Sequence, residues 1–263
     1  MERKKVTIDP EKYPEEIASF LKGSDVYDSS CSEEARVYYI ERKPGYFVKE
    51  SETGTLKAEY LMHDYFHKIG LTSPVVLYQS ETEMDYLITE LVPGEDCTHK
   101  IYLDEPERLC DTIAAALRGL HDMPIDGCPI SNRTDSYVRS VLNGYAGGKY
   151  ESDLFEGLWE FKSDQEAWGY AREGMSMLET DTLIHGDYCL PNIMLDDWKL
   201  SGFIDLVNGG VCDRHIDVLW GIWTLKYNLG TGKYTERFID AYGRECVDTH
   251  KLRCVAAMEM FGG

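Results

Sequence analysis

The hydrophobic pattern of this chain changes period at Pro93-Gly94, and that change constrains its fold more than any other feature. Before it, the chain reads as helices interleaved with short strands rich in β-branched and aromatic residues; after it, mostly as helices. Arg36 to Ile40 (RVYYI) and Tyr46 to Lys49 (YFVK) are rich in β-branched and aromatic residues, and Glu41-Arg42-Lys43-Pro44-Gly45 between them has turn chemistry, which predicts a hairpin. Tyr13 to Leu21 and Leu56 to Ile69 read as helices, the second stopped by Gly70, and Val75 to Tyr78 and Tyr86 to Glu90 as further strands. Beyond Gly94, helices are predicted over 105–121, within 134–144, over 152–178 and from Asp217 to Phe261, with two short strands flanking Asp196-Asp197. The expected fold class is α+β, with a small β-rich N-terminal lobe (1–93), a larger α-rich C-terminal lobe (94–263) and a ligand cleft between them.

Composition removes several function classes. With 27 Lys+Arg against 47 Asp+Glu the formal charge is −20, which repels nucleic acid and anionic membranes and favours a cationic partner. No stretch approaches the ~20 apolar residues of a membrane span, and the opening MERKKVTIDPEKYPEE has no apolar signal core, so a cytoplasmic location is expected. The eight cysteines are scattered without a CxxC, as reduced and mostly buried thiols would be. Gly147-Gly148-Lys149-Tyr150 and Gly232-Lys233-Tyr234 lack P-loop spacing, and no GxGxxG occurs. His63 and His67 lie four apart on a predicted helix, but no third ligand is evident, so they read as ordinary helix histidines.

Chemistry concentrates in one segment. Leu183-Ile184-His185-Gly186-Asp187-Tyr188-Cys189-Leu190-Pro191-Asn192 leads from an apolar strand into a polar loop, and Ser201-Gly202-Phe203-Ile204-Asp205-Leu206 follows one hairpin later. Two carboxylates and an amide oxygen expected to converge at a strand end suit Mg²⁺, a hard cation that usually accompanies substrate phosphates. A carboxylate left free of the metal can receive a proton from an attacking hydroxyl. Phosphoryl transfer needs these parts and little covalent work by the protein.

HGDYCLPNIM, SGFIDL and the CDRHID after them resemble the aminoglycoside phosphotransferase family, most closely its 3′-phosphotransferase (kanamycin kinase) branch, over roughly residues 25 to 261. The resemblance implies a bilobal fold like that of protein kinases and transfer of the ATP γ-phosphoryl group to an aminoglycoside hydroxyl, the 3′-hydroxyl in that branch, with antibiotic resistance as the result. It implies Asp187 as the catalytic aspartate and Asn192 and Asp205 as Mg²⁺ ligands. It pairs Lys49, facing the ATP phosphates, with Glu59. Ser32 falls in the nucleotide loop, as a phosphate contact or an exposed turn serine. Phe47 stands where an aromatic stacks on adenine, or packs in the small lobe. Backbone groups of Thr89 and Leu91, in Leu87-Ile88-Thr89-Glu90-Leu91-Val92-Pro93-Gly94, would pair with the base. His185 and Asp217 would order the catalytic loop. Asp153, Glu156 and Glu160 fall where the family has its substrate-binding insert, as substrate carboxylates or a solvated face, and Glu259 falls in the terminal acidic-aromatic signature as a substrate contact. Met258 stands where the family usually has aspartate. The alternatives are a kinase of another small hydroxyl compound (a macrolide, a choline-like amine, an amino sugar) and a nucleotide-binding module without catalysis.

Overall fold

A computed structural model describes residues 4–30 and 35–263. The chain forms two compact units: Met1–Pro93 with Ser201–Val207, and Gly94–Leu200 with Asn208–Gly263. No helix among the described residues is long and apolar enough to cross a membrane.

The first unit is built on an antiparallel sheet of six strands: β1 (Lys4–Val6), β2 (Asp25–Asp28), β3 (Arg36–Glu41), β4 (Tyr46–Glu52), β5 (Val75–Ser80) and β6 (Met84–Glu90), in the order β1-β2-β3-β4-β6-β5. The predicted hairpin is β3–β4, with Tyr39 opposite Phe47 and Val37 opposite Lys49. Because side chains alternate across a strand, Val48 joins Val26, Ile40, Tyr86 and Ile88 in a core against Ile17 and Leu21 of α1 (Glu15–Leu21). Phe47 and Lys49 therefore share the opposite face of the sheet. Helix α2 (Lys57–Lys68) carries Glu59 in its first turn and packs beside β5. Its two histidines are structural: His63 Nε2 lies 3.0 Å from the Ser73 carbonyl and His67 Nδ1 lies 3.1 Å from that of Thr72, so they hold the loop after the helix.

The second unit is mostly helical. It contains β7 (Glu95–Asp96), α3 (Lys100–Leu103), α4 (Pro106–His121), α5 (Thr134–Ala146), α6 (Asp164–Met175), β8 (Thr182–Ile184), β9 (Ile193–Asp196), β10 (Lys199–Phe203, which runs on into the first unit), β11 (Gly210–Cys212), α7 (His215–Leu229), α8 (Thr235–Tyr242) and α9 (Thr249–Glu259). Leu109, Ile113, Leu117 and Leu120 lie on the buried face of α4, which packs on α7 and α8. Strands β8 and β11 pair antiparallel, Leu183 opposite Val211, and so hold the loop after Ile184.

The helix expected over 152–178 is shorter. Residues 152–158 are successive turns, and α6 starts at Asp164 behind the N-cap Ser163, whose hydroxyl accepts from the Glu166 amide. Gly157 adopts a left-handed φ of 71° that breaks helical continuation. Phe155 is buried against Trp159 and Trp220, and the Leu154 carbonyl accepts from the Trp223 indole at 2.7 Å, which anchors the turns through contacts distant in sequence.

Candidate active site

In the first unit, three residues far apart in sequence meet. The Lys49 ammonium lies 2.7 Å from Glu59 Oε2 and 3.0 Å from Asp205 Oδ1. Lys49 comes from β4, Glu59 from α2, and Asp205 from the segment after β10, which Phe203 ties down by donating its N–H to the Leu71 carbonyl. Burial by itself would lower the Lys49 pKa, but the two carboxylates outweigh it and raise it, so the side chain stays cationic. Burial pushes the Glu59 carboxyl upward while Lys49 pulls it back. Asp205 has a φ of 58°, in the left-handed region that is open mainly to Gly, Asn and Asp. Side-chain-bearing residues held there cluster at active sites, where position matters more than local stability.

In the second unit, the loop carrying Asp187 is held by a dense set of bonds. Asn192, at the end of the 3₁₀ turn Leu190–Asn192, donates its amide nitrogen to Asp187 Oδ2 at 2.9 Å and to the Asp187 carbonyl at 3.0 Å. Its own side-chain oxygen makes no hydrogen bond among the described residues. Asp205 uses Oδ1 on Lys49 and retains Oδ2. Oxygen donors of this kind fit Mg²⁺.

The buried Asp217, in the first turn of α7, accepts the His185 N–H and the Gly186 N–H, both at 2.7 Å, and faces His121 Nε2 at 3.1 Å. His185 Nδ1 in turn accepts the Asp187 N–H at 3.2 Å. Gly186 has a φ of 83°, and a Cβ there would lie 2.1 Å from the Asn208 carbonyl oxygen, so only glycine fits between His185 and Asp187. His185 and Asp217 thus order the loop through hydrogen bonds.

Ser32 lies outside the described residues. Phe47 is half-buried with its ring 5.4 Å from that of Tyr39, on the Lys49 face of the sheet. Thr89 lies inside β6, between Phe47 of β4 and Val75 of β5. The expectation for Leu91 needs correction at its N–H, which already donates to the Gly45 carbonyl at 2.8 Å and cannot also serve adenine. The next amide, Val92, makes no hydrogen bond among the described residues. No side-chain signal distinguishes the two amides, because the availability of a backbone donor depends on strand register and on which neighbouring carbonyl is within reach.

Asp153, Glu156 and Glu160 are exposed, and Arg253 holds the Glu160 main chain by donating to its carbonyl at 3.0 Å. Glu259, expected as a substrate carboxylate, is buried instead. Its Oε1 accepts from the Tyr137 hydroxyl at 2.9 Å, and burial pushes its carboxyl up to about 7, against the hydrogen bonds from Tyr137 and Trp220. The reason is packing: Glu259 closes the last turn of α9, a helix buried along most of its length, and Met258 beside it is fully buried too.

Residues 32–254 match the profile of the phosphotransferase enzyme family. A probable aminoglycoside 3′-phosphotransferase of Lactococcus lactis is 42% identical over 259 residues, 98% of each chain. The aminoglycoside 3′-phosphotransferase of Niallia circulans is 32% identical over 73% of each. Among solved structures, an aminoglycoside 3′-phosphotransferase of type VIII superposes with a TM-score of 0.73 at 21% identity, covering 95% of both chains. An aminoglycoside phosphotransferase of Streptomyces rimosus in complex with ADP and streptomycin gives 0.71 at 20% identity, covering 86% of this chain and 90% of that one.

Proposed function

This chain belongs to the phosphotransferase enzyme family, and from that premise we propose that it transfers the γ-phosphoryl group of ATP to a hydroxyl, the 3′-hydroxyl, of an aminoglycoside. The observation that carries this reading is Lys49 held between Glu59 and Asp205, a fixed cation with a carboxylate oxygen to spare. Residues 1–93, joined by 201–207, form the nucleotide-binding part and the rest of 94–263 the catalytic and substrate-binding part. Lys49 binds the α- and β-phosphates, Glu59 fixes its ammonium, and Phe47 packs on the base. Asn192 and Asp205 would hold Mg²⁺, which would supply charge neutralisation for the phosphates. Asp187 orients the acceptor hydroxyl and takes its proton. The acceptor oxygen forms a new bond to the γ-phosphorus as the bond to the β,γ-bridging oxygen breaks, releasing ADP. Added phosphate puts negative charge on a cationic antibiotic, which is the resistance. A cytoplasmic location follows, since ATP and the target of such drugs are there.

Asp153, Glu156 and Glu160 supply exposed carboxylates for a polycation. The buried Met258, where the family usually has a carboxylate, favours a second reading in which the acceptor is another small hydroxyl compound. A coupled assay of ADP release with kanamycin and neomycin, run beside a macrolide and choline, separates the two. Asp187→Asn should lower kcat by ~10²–10⁴ with an unchanged melting curve, because the asparagine oxygen still accepts from Asn192. Unchanged turnover in that variant would remove Asp187 from its role.

A further inference from the structure

Helices α6 and α9 pack closely at Gly174, where a Cβ would lie 2.8 Å from Cys254 Cβ and 2.9 Å from Met258 Cε. That approach brings Glu173 of α6 against one face of α9, where His250 and Cys254 lie one turn apart. His250 Nε2 is 2.9 Å from Glu173 Oε1 and 3.8 Å from Cys254 Sγ, and the three ligand atoms all lie within 4.8 Å of one another. A tetrahedral ion with bonds of about 2.0–2.3 Å to O, N and S separates its ligands by about 3.3–3.6 Å, so the observed distances bracket that geometry. The Tyr170 ring, 6.0 Å from the imidazole, flanks it on the α6 side.

We propose that Glu173, His250 and Cys254 bind a thiophilic divalent ion, Zn²⁺, with water in the fourth position. A thiolate, an imidazole and one carboxylate select Zn²⁺ over Mg²⁺, which prefers oxygen ligands. The Cys254 thiol proton passes to solvent on binding. No fourth His, Cys, Asp or Glu joins the group among the described residues, so the ion exchanges readily. The site is independent of the phosphotransfer reading, since it shares no residue with it.

The test uses the full chain, stripped with chelator and titrated with Co²⁺ in excess Mg²⁺. One equivalent should bind with a sulfur-to-cobalt charge-transfer band that Zn²⁺ abolishes. Cys254→Ser should remove the band, and the surface variants Glu173→Gln and His250→Gln should each weaken binding about tenfold or more. No band in the parent protein, or a band of equal strength in Cys254→Ser, would overturn the assignment. So would parent-like affinity in His250→Gln, a variant whose exposed position leaves folding intact.

Discussion

Replacing Asp217 by asparagine should be among the most damaging conservative changes in this protein. Its carboxylate accepts from two backbone N–H groups at 2.7 Å and from His121 Nε2 at 3.1 Å, in a fully buried setting. Burial lowers the His121 pKa, and because a carboxylate only accepts, Nε2 is the nitrogen that donates to Asp217 while Nδ1 faces the Tyr242 hydroxyl at 2.8 Å. An asparagine oxygen placed at Oδ2 still accepts from His185 and His121. Its NH₂ then faces the Gly186 N–H, and that donor is orphaned at about 1–3 kcal/mol. The two surviving bonds lose their charge assistance, about 1 kcal/mol each. The total, about 3–5 kcal/mol, should lower Tm by about 6–20 °C by calorimetry. The control is Asp111→Asn, which breaks an exposed pair with Arg237 at 2.7 Å and should melt close to the parent protein. If Asp217→Asn melted no lower than Asp111→Asn, the bracing role would be refuted.

Lys49→Met strands Glu59 as a buried carboxylate and should cost about 3–5 kcal/mol; adding Glu59→Leu should recover most of it, and a double variant no more stable than the single would contradict the coupling. Burial lowers the His63 pKa to about 4 from an ordinary 6.5, so the unfolded chain binds the extra proton between those values. Stability from this group is present above about pH 6.5 and should fall with acidification toward pH 4, by up to about 1.4 kcal/mol per pH unit; His63→Gln should flatten that slope in urea titrations, and an unchanged slope would assign it to other groups. Glu259 has the opposite sense: its raised pKa, about 7, means the folded state holds a proton that the unfolded chain has lost above about 4.5. Stability from this group is lost as pH rises from 4.5 to 7, so Glu259→Gln should stabilise the protein by about 1–3 kcal/mol at pH 8; an equal gain at pH 4 would show that charge burial is not the cause.

Much of the architecture was legible because it is local. β-Branched and aromatic residues in RVYYI and YFVK with a turn between them dictate the β3–β4 hairpin, and a spacing of two residues on a strand puts Phe47 and Lys49 on one face. The apolar spacing of α4 likewise dictates which of its faces is buried. The order His185-Gly186-Asp187 to Asn192 places Asn192 within reach of Asp187 through a single 3₁₀ turn. The helix expected over 152–178 lacks its first part because Phe155, Trp220 and Trp223 anchor turns there through contacts distant in sequence.

The order of residues along the chain was enough to set the strand and helix periods, the acidic balance and the short-range geometry of the Asp187 loop, since each depends on composition or on residues a few positions apart. Three outcomes were settled elsewhere, by the packed fold: the Leu91 amide is spent on Gly45, Glu259 lies buried against Tyr137, and Glu173 meets His250 and Cys254. They depend on strand register and on how closely two helices approach, which arise from packing between distant segments and leave no periodic trace in the chain.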